Sequence, residues 1–282
     1  MGSLFQSFTR IAVSVFIAYC AFMALLYFSQ EKFIFFPQST PISTLKEIKT
    51  KYKNAEEVSI KTSDNVIIRG WLVKNTINKK TPLIIYFGGN ADVLSDVIKQ
   101  SKYFKEWSLG LINYRGYELS EGKPGEKEFY NDALAIYDYF SQRNDIDNKN
   151  IVIFGRSIGT GVAVYLAKNR SAKGIILVSP YDSLISIAKK DFPYAPIGLL
   201  LRHKFDSISF SSSITAPLLV LIADQDTTVE PEFSENLVKK WGGPYKIVSI
   251  KGADHNSMSY SPLYWESINE FLDAFKLKEK KK

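Results

Sequence analysis

The sequence predicts one α/β domain, built on a mostly parallel sheet with helices on both faces and preceded by one N-terminal transmembrane helix. Three observations carry that prediction. From residue 83 onward, short apolar runs alternate with segments whose apolar residues recur at helical spacing, the pattern of strand–helix–strand units. The runs themselves, such as Leu83 to Phe87 ("LIIYF") and Ile151 to Phe154, have no polar face, as strands buried on both sides require. Finally, Ile11 to Phe28 ("IAVSVFIAYCAFMALLYF") is 18 residues long without a charge or a proline.

That N-terminal run nearly meets the length a bilayer demands, since a hydrocarbon core of roughly 30 Å needs about 20 apolar helical residues. A cleaved signal peptide would have a shorter apolar region, roughly 7–15 residues, before a small-x-small cleavage site. Here Ser29-Gln30-Glu31-Lys32 follows, and then the bulky Phe33-Ile34-Phe35-Phe36. A buried core helix would show a polar face, and only Ser14 and Tyr19 break this one. The reading is a single-pass membrane anchor, residues 1–30, which serves only as a tether: removing it should leave a complete domain. The positive-inside rule barely discriminates the orientation, because Arg10 lies on one side and Lys32 with Lys46 on the other.

Residues 31–55 read as a linker, polar from Pro37 to Ala55, with Phe33, Phe35 and Phe36 at the interface or against the domain. The domain proper spans residues 56–275. Glu57 to Lys61 and Val66 to Val73 form a hairpin turning at Ser63-Asp64-Asn65. Leu83 to Phe87 is a strand with a glycine-rich exit, Leu94 to Lys105 a helix and Ser108 to Tyr114 a strand. Glu126 to Phe140 is a helix, Ile151 to Phe154 a strand, Thr160 to Ala167 a helix and Gly174 to Val178 a strand. Pro217 to Ile222 and Lys246 to Ile250 are the last strands, and Ser261 to Phe275 closes the domain as a helix.

The chain carries 36 basic and 29 acidic residues, a net charge of +7. Residues 276–282 ("KLKEKKK") supply four of those charges, five lysines less one glutamate, and read as a solvated basic tail. The remainder is near balance with no basic stripe, which argues against nucleic acid as a partner. A lone Cys20 excludes internal disulfides, and two histidines, His203 and His255, argue against a multi-histidine metal centre. The reading therefore expects no metal, no cofactor and a monomer.

The chemistry centres on Gly155-Arg156-Ser157-Ile158-Gly159, at a strand-to-helix corner. A serine hydroxyl is a poor nucleophile until a base takes its proton, and it must protrude from the scaffold to be attacked or to attack. A sharp turn fenced by two glycines achieves that, and the helix N-terminus behind it favours a developing oxyanion. The base should lie in the loop after the final strand, which selects His255 over His203. The acid should follow Pro217 to Ile222, where Asp226 reaches further into the loop and Asp224, at the strand's end, is the reserve. Two backbone amides should form an oxyanion hole: Ile158, next to the nucleophile, and Asn90 in "FGGNAD", with Gly89 as alternative.

These segments together resemble the α/β-hydrolase superfamily, and within it the short-lidded, N-terminally anchored branch that includes the α/β-hydrolase-domain depalmitoylating thioesterases. The likeness runs through "FIFFPQ" (33–38), "YFGGNAD" (86–92), "NYRGYELSEGKP" (113–124), "FGRSIGTGVA" (154–163), "SPYDSL" (179–184), "FDS" (205–207), "DQDTTV" (224–229) and "GADHN" (252–256). It implies an eight-stranded α/β-hydrolase fold with a short lid between residues 180 and 216. It also places a Ser157–His255–Asp226 triad that cleaves esters or thioesters, lipid-acyl or small-molecule, through an acyl-enzyme. Two departures stand out. The family's usual histidine after the third strand is Gly88, expected to loosen the oxyanion loop, and its usual Tyr-Gly is Tyr117-Glu118, expected to put a carboxylate near the mouth of the site. A serine peptidase of the same fold and a membrane-tethered binding module are the other classes the sequence leaves open.

Overall fold

A computed structural model of the chain describes residues 2–39, 41–76 and 80–279. It opens on α1 (Gly2–Ile34), a 33-residue helix, followed by α2 (Ile42–Lys51). The sheet and its helices are β1 (Ala55–Lys61), β2 (Ile67–Val73), β3 (Thr81–Phe87), α3 (Leu94–Val97), β4 (Ser108–Ile112), α4 (Glu126–Ser141), β5 (Ile146–Arg156), α5 (Ile158–Asn169) and β6 (Gly174–Val178). Three short helices follow, α6 (Leu184–Asp191), α7 (Ile197–Leu200) and α8 (Ile208–Ser211), then β7 (Leu218–Ala223), α9 (Pro231–Val238), β8 (Tyr245–Ile250) and α10 (Pro262–Glu279).

The eight strands form one sheet in the order β1-β2-β4-β3-β5-β6-β7-β8. β1 pairs antiparallel with β2, and β2 with β4; from β4 onward every pair is parallel. Alternate residues of each apolar strand feed two cores. Leu83, Ile85 and Phe87 of β3 join Ile151 and Ile153 of β5 and the inner faces of α4 and α5. Ile84, Tyr86, Val152 and Phe154 face the other way, against Leu94, Phe104 and the Ile268–Leu272–Phe275 stripe of α10. This doubled burial is why the strand sequences have no polar face.

β3 leads to β4 on one side, whereas β5 leads to β6 on the other, so the winding reverses between β3 and β5. Loops leaving the carboxyl ends of adjacent strands part there, opening a crevice where ligands bind in such sheets. Both Gly88–Asn90 and Ser157 stand at that point.

Several expectations need correction. The segment 31–55 is not a featureless linker: α1 runs on to Ile34, and α2 occupies Ile42–Lys51 with Ile48 buried against the sheet. The helix expected over 94–105 is one α-turn followed by a 3-10 stretch, Ile98–Phe104, ending at Lys105 with φ +53°. α9 was missed altogether. α10 extends past Phe275 to Glu279, so part of the tail is helical; residues 280–282 lie outside the described residues. Of the three phenylalanines, Phe35 alone is buried, edge-on to Phe129 and to His203.

α1 is long and apolar enough to cross a membrane, and little of it is covered by the domain. A buried core helix is thereby set aside. Its last turns do pack: Gln30 Nε2 donates to the Leu200 carbonyl at 3.2 Å, and the Arg202 amide donates to Gln30 Oε1 at 2.7 Å.

Candidate active site

The geometry of the Gly155–Gly159 corner follows from its two glycines. A Cβ on Gly155 would stand 2.6 Å from the Gly159 carbonyl oxygen and 2.8 Å from the Ala163 methyl. One on Gly159 would stand 2.3 Å from the Phe87 carbonyl oxygen. Only glycine lets β5, α5 and β3 approach so closely. Between them Ser157 takes φ +50° and ψ −123°, a conformation a non-glycine residue adopts only when its surroundings impose it. The turn lifts the hydroxyl out of the sheet into the crevice.

There the structure brings Ser157, His255 and Asp226 into one hydrogen-bonded line. Ser157 Oγ lies 3.0 Å from His255 Nε2, and His255 Nδ1 lies 2.7 Å from Asp226 Oδ2. Asp226 is buried and fully engaged. Its Oδ2 also accepts from Ser179 Oγ at 2.7 Å, and its Oδ1 accepts from the Thr228 and Val229 amides at 2.9 and 2.8 Å. Burial opposes its ionisation. The hydrogen bonds from His255, Val229 and Ser179 outweigh that and hold its carboxyl below the ordinary range. Asp224, the reserve acid, is exposed, and its Oδ1 instead accepts from the amide of Gly252, which sits at φ +74° in the turn after β8. It shapes the loop that carries His255.

Gly89 donates its amide to Asp92 Oδ2 at 2.6 Å, which leaves it unsuited to a second acceptor. Asn90 is anchored by its side chain. Oδ1 accepts from the Phe36 amide and the Tyr117 hydroxyl, both at 2.9 Å, and Nδ2 donates to the Ile34 carbonyl at 2.5 Å. The exit of α1 therefore grips the loop after β3. Gly88 does not loosen that loop as expected. Tyr114 donates to its carbonyl at 2.9 Å, and a Cβ there would meet Leu94 at 2.8 Å, so the space a larger residue would use is already filled. Nor does Glu118 reach the mouth of the site. At φ +45°, it turns its Oε1 to the Leu94 amide, 2.8 Å away, and caps α3.

His203 lies apart from this line. Its Nδ1 accepts from the Glu126 amide at 3.2 Å at the start of α4, and its ring stands edge-on to Phe35.

Three contributors were not read from the sequence. Ser179, at φ +46°, sets its hydroxyl on the Asp226 oxygen that also faces His255. Arg156 bridges the loops on either side of Ser157: one arm pairs with Asp92 beside Gly89, and Nη2 donates to Asn256 Oδ1 at 2.8 Å and to the His255 carbonyl at 3.2 Å. Burial disfavours its charge, but Asp92 together with Tyr86 and Tyr264 offsets this and holds the guanidinium above its ordinary value. Arg156→Ala is expected to lower kcat by about 10–100-fold with KM little changed, because misplacing groups by ~1 Å costs on that order. Arg156→Lys should restore little, lacking the two-armed fork. Steady-state kinetics of both variants check this.

The third contributor is α1. A cavity of about 610 Å³ opens at Ser157 and His255. Leu184, Ile187, Phe192, Ile197 and Leu200 of the 180–216 segment wall one side, and Leu26, Tyr27, Gln30, Phe33 and Ile34 of α1 wall another. α1 is thus more than a tether: a domain lacking residues 1–30 would lack part of its cavity wall. Among the described residues, no group of three His, Cys, Asp or Glu side chains is placed to hold a metal ion.

Comparison with known proteins bears on this arrangement. An uncharacterized Mycobacterium tuberculosis protein is 30% identical over 229 residues, covering 80% of each chain. The α/β hydrolase domain-containing protein WAV2 of Arabidopsis thaliana is 26% identical over 306 residues, covering 100% of this chain and 97% of its own. Among solved structures, the Pyrococcus furiosus esterase Pf2001 superposes with a TM-score of 0.65 at 20% identity, covering 86% of this chain and 97% of that one. The profile of the prolyl oligopeptidase family matches residues 115–277, from the loop after β4 to the last helix. With that match over more than half its length, the chain belongs to the prolyl oligopeptidase family of α/β-hydrolases.

Proposed function

We propose that this protein is a membrane-anchored serine hydrolase that cleaves carboxylic esters or thioesters, including lipid-acyl ones, through Ser157, His255 and Asp226. The observation that carries the reading is the line of contacts from Ser157 Oγ through both nitrogens of His255 to Asp226, 3.0 and 2.7 Å long. His255 Nε2 takes the serine proton as Oγ attacks the carbonyl carbon. Asp226 holds the proton on Nδ1, fixing the working tautomer and stabilising the imidazolium. The Ile158 and Asn90 amides, with the α5 N-terminus behind Ile158, stabilise the oxyanion. Collapse expels the alcohol or thiol, which takes the proton from Nε2. Water then repeats the cycle and frees the acid.

The cavity supports an acyl-chain substrate. Its walls are aliphatic and aromatic side chains from the 180–216 segment and α1, with few charges among them. Each methylene buried there contributes about 0.8 kcal/mol. Lengthening an acyl chain from four to eight carbons is therefore expected to raise kcat/KM substantially, about 3 kcal/mol if all four bury fully. Leu200, which lines the cavity, should blunt that rise when replaced by aspartate. A p-nitrophenyl ester and acyl-thioester series from acetyl to palmitoyl checks this; a steady fall beyond butyryl would mean a small closed pocket. The family match favours a second reading, a serine peptidase. Adding peptide substrates to the same panel separates the two, the ester reading requiring ester or thioester turnover to dominate.

A further inference from the structure

The residues that contact α1 sort by height along its axis. Glu31 pairs with Arg202 at 3.1 Å, Gln30 holds Leu200 and Arg202, and Tyr19 Oη donates to the Tyr194 carbonyl at 2.9 Å. Residues 11–30 of α1 carry no charge, so Glu31 marks the edge of the apolar span. Tyr19 stands twelve residues above it, roughly 18 Å at 1.5 Å per residue. The 192–201 segment therefore climbs beside α1 to about half the thickness of a hydrocarbon core of roughly 30 Å.

Composition agrees with that height. Residues 192–201 ("FPYAPIGLLL") carry no charge, while both roots of the lid are tied down by ions: Lys190 to Glu230 on the domain and Arg202 to Glu31. Yet the tip is bare. Tyr194 is 91% exposed and Leu199 87%, the wrong side chains for a water-facing loop. Most of its backbone is also satisfied within the protein, as lipid favours. Pro193 and Pro196 have no N–H, and six of the other eight residues donate to nearby carbonyls, among them Ala195 to Phe192, Ile197 to Ala195 and Leu201 to Ile197.

We propose that the 192–201 lid tip is immersed with α1 in one leaflet of the bilayer, so that the cavity between them receives acyl chains laterally from that leaflet. The substrate class is then a bilayer-resident long-chain acyl ester or thioester whose scissile carbonyl sits near the level of Gln30 and Phe33. This substrate assignment rests on the hydrolase reading above; the immersion does not.

The test uses full-length protein carrying Ser157→Ala and Cys20→Ser in phosphatidylcholine vesicles. An environment-sensitive fluorophore is attached at Leu199→Cys and, as a water-side control, at Ser209→Cys. The label at 199 is expected to emit in the blue and to be quenched by lipids brominated mid-chain, and the label at 209 by iodide only. Iodide quenching at 199 without bromine quenching would overturn the immersion, and because the protein is inactive by design, the result is independent of catalysis. A second arm uses otherwise wild-type Leu199→Asp, a residue outside the cavity lining. A charge on the tip should leave turnover of soluble p-nitrophenyl acetate unchanged and lower turnover of palmitoyl substrate in vesicles about tenfold or more. Equal turnover of vesicle-borne substrate would overturn lateral access. No turnover of either the acetate or the palmitoyl substrate in the wild type would instead overturn the hydrolase reading.

Discussion

Ser157→Ala is expected to cut ester turnover by about 10⁴-fold or more while the protein stays folded. The side chain is small, and among the described residues its oxygen hydrogen-bonds to His255. The strained turn is held from elsewhere: the Ser157 amide donates to the Val178 carbonyl at 2.9 Å, and the Thr160 hydroxyl and amide both donate to the Ser157 carbonyl. Alanine can occupy the same φ at the same cost. Activity assays alongside thermal melts distinguish lost chemistry from lost fold. His203→Ala is the informative control. That ring supports α4 and Phe35 rather than the reacting centre, so the variant should lose stability and keep most of its kcat.

Asp226→Asn is expected to cost roughly 10⁴-fold. Four donors converge on this carboxylate, from His255, Ser179, Thr228 and Val229. An amide offers one acceptor oxygen and a donor nitrogen. With its oxygen toward the two backbone amides, its NH₂ faces His255 Nδ1. That forces the tautomer with hydrogen on Nε2, which cannot take the proton of Ser157. Turned over, it sets donors against the Thr228 and Val229 amides in a buried site, a cost of about 1–3 kcal/mol in stability. Asp224→Asn should be much milder, since Asp224 accepts the Gly252 amide rather than facing His255.

The same carboxylate gives a pH signature. A group held below its unfolded value adds stability that is complete above the ordinary carboxylate range, about pH 4, and is lost as pH falls through the folded pKa. Melting temperature of the wild type should therefore drop on acidification below about pH 4 more steeply than that of Asp226→Asn, which has no such proton to bind.

Local patterns in the sequence were enough for the sheet and for placing Ser157, His255 and Asp226 on loops that meet in one hydrogen-bonded line. Ser157 stands where an apolar strand pattern meets a helical one, and His255 and Asp226 follow the last two strands in chain order. Elements that depend on contacts distant in sequence were not legible. Nothing near Tyr27 or Gln30 signals that they meet Leu200 and Arg202, some 170 residues later, so α1 looked like a tether. Arg156 looked like spacing inside a pentapeptide, because its partners Asp92 and Asn256 come from two other loops. Glu118 and Gly88 looked like departures with consequences for the site because their surroundings, the α3 N-terminus and Leu94, were unseen. α9 did carry a signal: Pro231 at its first turn, then Phe233, Leu237 and Val238 at helical spacing.

Ser157 as the reacting atom's residue is tested most directly by trapping. The full-length protein in vesicles is treated with a fluorophosphonate, which phosphonylates an activated serine, and the adduct is located by peptide mass mapping. A single adduct on Ser157, absent from Ser157→Ala and strongly slowed in His255→Ala, is the expected result. Adduct formation at another residue, or ester hydrolysis that continues with Ser157 unmodified, would contradict it.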